Sequence, residues 1–265
     1  SSGQPLSSSS FDAAVTFTLA ANSISVYNGS VDFNNDGKLD ILMGRSDGFS
    51  ILQNTTSGST LSFTRIDFNI SSSSTNRFAV ADFDKDGDLD LVGRDGNSST
   101  LRWFQNTYSG SGTTISFGGV SSGTLSAAYT MSMNKYVSDL VAGDFDNDGD
   151  MDIATMSFWS GNQRVELVEN TNTTSGTLSF SSTVHTLVSN LYQTTYWDKP
   201  MAIAAGDIDN DGDLDIVAAT HGVGTSYASK ISLLRNDGSL SFTHMYVGVD
   251  QSSTSQLTCN VQLKD

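Results

Sequence analysis

Cysteine is almost absent: Cys259 stands alone among 265 residues, so no disulfide can form within the chain. It reads as a small buried apolar residue rather than as an intermolecular thiol. Two prolines leave the turns to other residues, and no stretch keeps a helical period of apolar positions. The longest apolar runs span only a handful of residues, too few to cross a bilayer. The chain does not open with a charged segment followed by an apolar one, and the Ser-rich Ser1–Ser10 reads as a mature or trimmed end. Lysine and arginine total 13 and form no basic patch, which excludes nucleic acid as the expected partner. The three histidines, His185, His221 and His244, are scattered and have no repeated carboxylate or nucleophile beside them. That argues against a catalytic triad, and no enzymatic activity is expected.

Glycine is plentiful, at 24 residues, and lies in turns rich in Ser, Asn and Thr. The turns recur with a repeat. Acidic loops begin at Asp32, Asp82, Asp144 and Asp207, spaced by 50, 62 and 63 residues. Each is followed by an apolar run and then by a strand-like segment ending in Asn: Ile51–Asn54, Trp103–Asn106, Leu167–Asn170 and Leu233–Asn236. A further echo follows: Leu61-Ser-Phe63, Ile115-Ser-Phe117, Leu178-Ser-Phe180 and Leu240-Ser-Phe242. Each repeat therefore predicts strand, acidic loop, strand, turn, strand, turn, strand. Short antiparallel strands in units of this length predict an all-β fold, a β-propeller of four-stranded blades. Residues 1–265 read as one domain, with partial blades at Val15–Val31 and Ser239–Asp265. Asp265 would open a fifth loop, so the chain reads as cut at a repeat boundary, with strand edges free to pair with a second copy as an oligomer or filament.

The four loops share the pattern D-x-[DN]-x-D-G-x-[LM]-D. Their candidate metal ligands are Asp32, Asn34, Asp36, Lys38 and Asp40; Asp82, Asp84, Asp86, Asp88 and Asp90; Asp144, Asp146, Asp148, Asp150 and Asp152; and Asp207, Asp209, Asp211, Asp213 and Asp215. Net charge is −16, and these loops hold 18 of the 29 acids but only two of the 13 bases, leaving eleven of each elsewhere. The whole imbalance sits in four short loops, where like charges repel without a counter-ion. Calcium is the expected ion, because it takes six to eight hard oxygens in flexible geometry. Side chains at positions 1, 3 and 5, the position-7 carbonyl and Asp at position 9 would supply them, while Gly at position 6 makes the reversal at positive φ. The position-8 residues Leu39, Leu89, Met151 and Leu214 are expected to anchor each loop to the core. An EF-hand is excluded, because position 12 holds Met43, Gly93, Thr155 and Ala218 instead of Glu and the flanks are strand-like. Zinc is disfavoured by the lack of His or Cys in any loop, and magnesium by its demand for a strict octahedron.

With these loops in repeat register, the chain resembles the FG-GAP/VCBS family of β-propeller repeats, which are similar to those of the integrin α-subunit head. The resemblance covers roughly Phe11 to Asp265. It implies that each loop joins the first two strands of a blade and binds Ca²⁺ through positions 1, 3, 5, 7 and 9. The Phe-Gly-Gly-Ala-Pro element that names the family is not recognisable here. An extracellular or cell-surface location follows from the weak sites expected of such modules, with Kd on the order of 10⁻⁴–10⁻³ M.

The expected role is a non-enzymatic adhesion or structural assembly module with an extracellular protein or glycan as partner. The alternative is a glycan-binding propeller, lectin-like or part of a polysaccharide-acting enzyme, for which Trp159, Tyr192, Tyr196 and Trp197 are the candidate platforms; Trp103 reads as core. Sequons at Asn28, Asn54, Asn69, Asn97 and Asn172 would suit a surface glycoprotein.

Overall fold

The computed structural model describes residues 23–26, 31–70, 75–96, 99–108, 110, 114–134, 136–159, 162–189, 191, 199–221 and 230–248. Cys259, Asp265, Tyr192, Tyr196, Trp197, Asn28 and Asn97 lie outside the described residues. So do most of the partial blades expected at the two ends.

Every regular element among the described residues is a strand, so the expected all-β class holds. The first repeat supplies β1 (Ser23–Val26), β2 (Ile41–Arg45), β3 (Gly48–Asn54) and β4 (Phe63–Ile70). The second supplies β5 (Thr75–Ala81), β6 (Asp90–Asp95), β7 (Thr100–Phe104), β8 (Gly123–Leu125) and β9 (Tyr129–Ser132). The third supplies β10 (Tyr136–Gly143), β11 (Asp152–Trp159), β12 (Asn162–Asn170) and β13 (Phe180–Ser189). The fourth supplies β14 (Lys199–Gly206), β15 (Asp215–His221), β16 (Lys230–Asn236) and β17 (Phe242–Gly248). Each repeat folds into a four-stranded antiparallel meander: β1-β2-β3-β4, β5-β6-β7-β9, β10-β11-β12-β13 and β14-β15-β16-β17.

The second repeat departs from the expected plan. Phe63, Phe180 and Phe242 each begin a fourth strand, but Phe117 makes only isolated bridges to Asn106 and Val120. The fourth strand is instead β9, twelve residues further on. The reason is packing. Phe117 is fully buried, with its ring 5.7 Å from Phe33, 5.7 Å from Phe49 and 5.4 Å from Phe68. The segment is spent on the core shared with the first sheet, and β8 continues it by running parallel to β4.

Consecutive sheets meet face to face through three apolar cores. Strand alternation explains how one sheet serves two of them, because adjacent side chains point to opposite faces. In β6, Leu91 enters the first core and Val92 the second; in β11, Ile153 enters the second and Ala154 the third. Trp103 is fully buried in the second core, as expected, its ring 4.6 Å from that of Phe180 and tilted by 41° to it.

The loops are anchored through a different position from the one expected. Leu39 is 54% exposed and Met151 37%, so position 8 is not a uniform anchor; only Leu89 and Leu214 pack against a core. Position 2 does that work: Phe33, Phe83 and Phe145 are each 0% exposed, one in each successive core. Position 2 of a loop packs toward the following sheet. At position 8, Leu89 and Leu214 pack toward the preceding sheet, the Leu214 Cδ1 lying where a Cβ on Gly143 would collide at 2.8 Å, whereas Met151 does not. Leu39 has no described sheet before it, and Ile208, at position 2 of the last loop, is 39% exposed with none described after it. Phe145→Ala is expected to cost about 3–5 kcal/mol, the usual range for a buried Phe. Leu39→Ala should stay within about 0.5 kcal/mol. Denaturant unfolding of both variants checks the contrast.

Candidate metal loops

Each acidic loop joins the first and second strands of its sheet, running from β1 to β2, β5 to β6, β10 to β11 and β14 to β15. The backbone reverses through Gly37, Gly87, Gly149 and Gly212 at φ of 80°, 94°, 86° and 95°, as the sequence predicts. Position 4 shares the left-handed conformation: Asn35, Lys85, Asn147 and Asn210 have φ between 51° and 61°. Sequence reading missed this second reversal. Asn at position 4 in three of four loops is the signal for it, since Asn tolerates that region better than most residues.

The loops orient their carboxylates with their own amides. At position 1, one oxygen of Asp32, Asp82, Asp144 and Asp207 accepts from the position-5 N–H at 3.1 Å in every loop. The other accepts from the glycine N–H at 2.7–3.0 Å. At position 5, Asp36, Asp86, Asp148 and Asp211 each accept from the position-7 N–H at 2.8–3.0 Å.

Position 9 is a clasp as well as a candidate ligand. One oxygen of Asp40, Asp90, Asp152 and Asp215 accepts the position-2 N–H at 2.9–3.1 Å. The other accepts the N–H of an Asn at 2.7–2.8 Å: Asn54, Asn170 and Asn236 end the third strand of their repeats, and Asn106 lies two residues beyond β7. Each oxygen keeps a lone pair for a cation. The asparagine side chains extend the clasp between repeats. The amides of Asn106, Asn170 and Asn236 donate to the position-2 carbonyls of the preceding loop, Phe33, Phe83 and Phe145, at 2.7–2.8 Å.

Three loops bring acids together tightly enough to hold a metal ion. Oxygens of Asp82, Asp84 and Asp86, of Asp144, Asp146 and Asp152, and of Asp207, Asp209 and Asp215 lie within 4.8 Å of one another in each group. The donors are all oxygens, which fits a hard divalent cation. The first loop differs. Asn34 replaces an acid at position 3, and the Lys38 ammonium lies 3.0 Å from Asp36, so part of the charge a cation would meet is already balanced. The position-7 side chains turn away from these groups: Asp88, Asp150 and Asp213 are engaged by neighbouring loops.

Burial pushes the Asp90 carboxyl up to about 8, with Asp84 and Asp86 adding to it, and burial pushes Asp152 up to about 7. Asp84 rises to about 6, through burial and then the charge of Asp86.

The remaining candidates lie apart. His185 sits 3.5 Å from Glu169 in the third sheet, and His244 packs on Tyr246 in the fourth. Asn54 and Asn69 are half-buried. Asn172 is only 3% exposed, and its side-chain oxygen accepts from the Thr174 N–H, so this sequon is turned inward and does not present its amide to a glycan, contrary to the surface expectation.

A family model described as an FG-GAP-like repeat matches residues 32–93, spanning the first two loops, and one described as an FG-GAP repeat matches residues 200–234, spanning the fourth. No curated protein matches the chain.

The raised carboxyl groups set a pH dependence for the metal-free protein. Between pH 4 and pH 8 the unfolded chain ionises these acids while the folded chain retains their protons. Stability therefore falls as pH rises through that window. Thermal melts in chelator should show a lower Tm at pH 8 than at pH 5, and saturating Ca²⁺ should flatten the slope by displacing the protons.

Proposed function

Because this chain is built of FG-GAP-type repeats, we propose that it is an extracellular calcium-binding propeller serving as a non-enzymatic adhesion or structural assembly module. The observation that carries the reading is the gathering of oxygen donors in repeated loops on a body that is otherwise neutral in charge. Within each loop the side chains at positions 1, 3 and 5, the carbonyl at position 7 and the carboxylate at position 9 would hold the ion. When bound, Ca²⁺ supplies the positive charge that lets clustered carboxylates ionise together. The chain's own amides do the rest, aiming position 1 and clasping position 9 before any ion arrives.

Weak sites of this class fill where free calcium is millimolar, which supports a working place outside the cell, with an extracellular protein or glycan as the proposed partner. Ring closure, if made, would bring the outward-facing Ile208 end of the stack against a further blade or a second copy. Of the aromatic candidates for the glycan-binding alternative, Trp159 ends β11, while Tyr192, Tyr196 and Trp197 lie outside the described residues.

Calcium binding to the folded state alone stabilises by mass action, about 1.4 kcal/mol for each site filled at a tenfold excess over Kd. Differential scanning calorimetry with Ca²⁺ and with chelator should show a clear rise in Tm with the ion, and equal values would refute the reading. Asp148→Ala should lower the calcium stoichiometry by one in a calorimetric titration and reduce the calcium-dependent gain in Tm.

A further inference from the structure

The four loops are joined to one another by side chains that are not themselves ligands. Asn35, at position 4 of the first loop, donates to the position-7 carboxylate of Asp88 in the second at 2.9 Å. Lys85, at position 4 of the second, pairs with Asp150 at position 7 of the third. Asn147, at position 4 of the third, donates to Asp213 at position 7 of the fourth. The same two positions are used at all three junctions between described loops, at sequence separations of 53 to 66 residues.

We propose that these struts couple the calcium sites, so that filling one loop prepares the next. The inference rests on the calcium reading above. Position 4 lies between the side-chain ligands at positions 3 and 5, so an ion in one loop immobilises the strut residue at its tip. The strut grips the side chain of position 7 in the following loop, the residue whose carbonyl is a ligand there. Ordering one loop therefore removes part of the cost of ordering its neighbour, which is positive coupling. By linkage the effect runs equally in both directions.

The middle strut differs in charge. Lys85 brings an ammonium onto Asp150, a residue only 4% exposed, and so places a fixed positive charge at the third loop. The asparagine struts carry none. The third loop therefore meets a cation with one fixed positive charge more than an asparagine strut would leave there.

The test is a calorimetric Ca²⁺ titration of the full chain with three proteins: the parent, the double variant Asn35→Gly/Asn147→Gly, and Lys85→Asn. Glycine keeps the positive φ at position 4 without strain, so the substitutions remove only the strut. The parent isotherm should be steeper than independent sites allow. The double variant should lose that steepness, with overall affinity lower by about fivefold, the low end of ordinary couplings. Melting in chelator separates a purely structural role. A double variant that melts lower without calcium yet keeps the parent's steepness overturns the coupling. Lys85→Asn preserves a side-chain donor and makes the middle junction like the other two. It should raise affinity several-fold at the two loops that share the Lys85 ammonium, and an unchanged isotherm overturns the charge assignment, independently of how the double variant folds. A parent protein that takes up no calcium overturns the calcium reading and the coupling with it.

Discussion

The two backbone amides that meet on each position-9 carboxylate come from opposite ends of a repeat. One belongs to the second residue of the loop and the other to the Asn at or just past the end of the third strand, seven residues before it and 14 to 21 after it. A buried carboxylate that accepts two amides in this way sets the depth at which the loop sits on its sheet. The asparagine supplying the second amide then reaches across to the loop before. Register within a sheet and contact between sheets are thus tied to one acidic residue. Removing it would leave buried amides without acceptors, a cost of about 1–3 kcal/mol for each.

This double duty explains why the acid is present whether or not an ion is bound, and why two of the four rise so far in pKa. Burial serves the clasp and penalises the charge. A divalent cation relieves the penalty, whereas a proton relieves it at the expense of the site. The loops are therefore structural joints first, and an ion would be held by the same carboxylates that make the joint.

Much of this was legible in the sequence. The D-x-[DN]-x-D-G-x-[LM]-D spacing announced the loop, its glycine and the candidate donors, and the Asn-terminated echoes marked the third strand of every repeat. What escaped depends on contacts far apart in the chain. Apolar residues stand at both position 2 and position 8, and only the stacking of sheets decides that Phe33, Phe83 and Phe145 are enclosed while Leu39 is open. The Ile115-Ser-Phe117 echo looks like its three counterparts, but tertiary packing draws Phe117 into an aromatic cluster with the first sheet. The function of position 4 was invisible because its partner lies one whole repeat away.

The bridges from loop to loop place the acids in a row along one rim, with a body of zero net charge behind them. Stacked sheets lie about 10 Å apart. In physiological salt the Debye length is about 8 Å, so each loop senses its immediate neighbours and little beyond. At 0.01 M salt that length grows to about 30 Å, and all four loops then lie within one another's field. The loops thus form one acidic edge, whose internal repulsion is set by the surrounding electrolyte as much as by the protein's own residues.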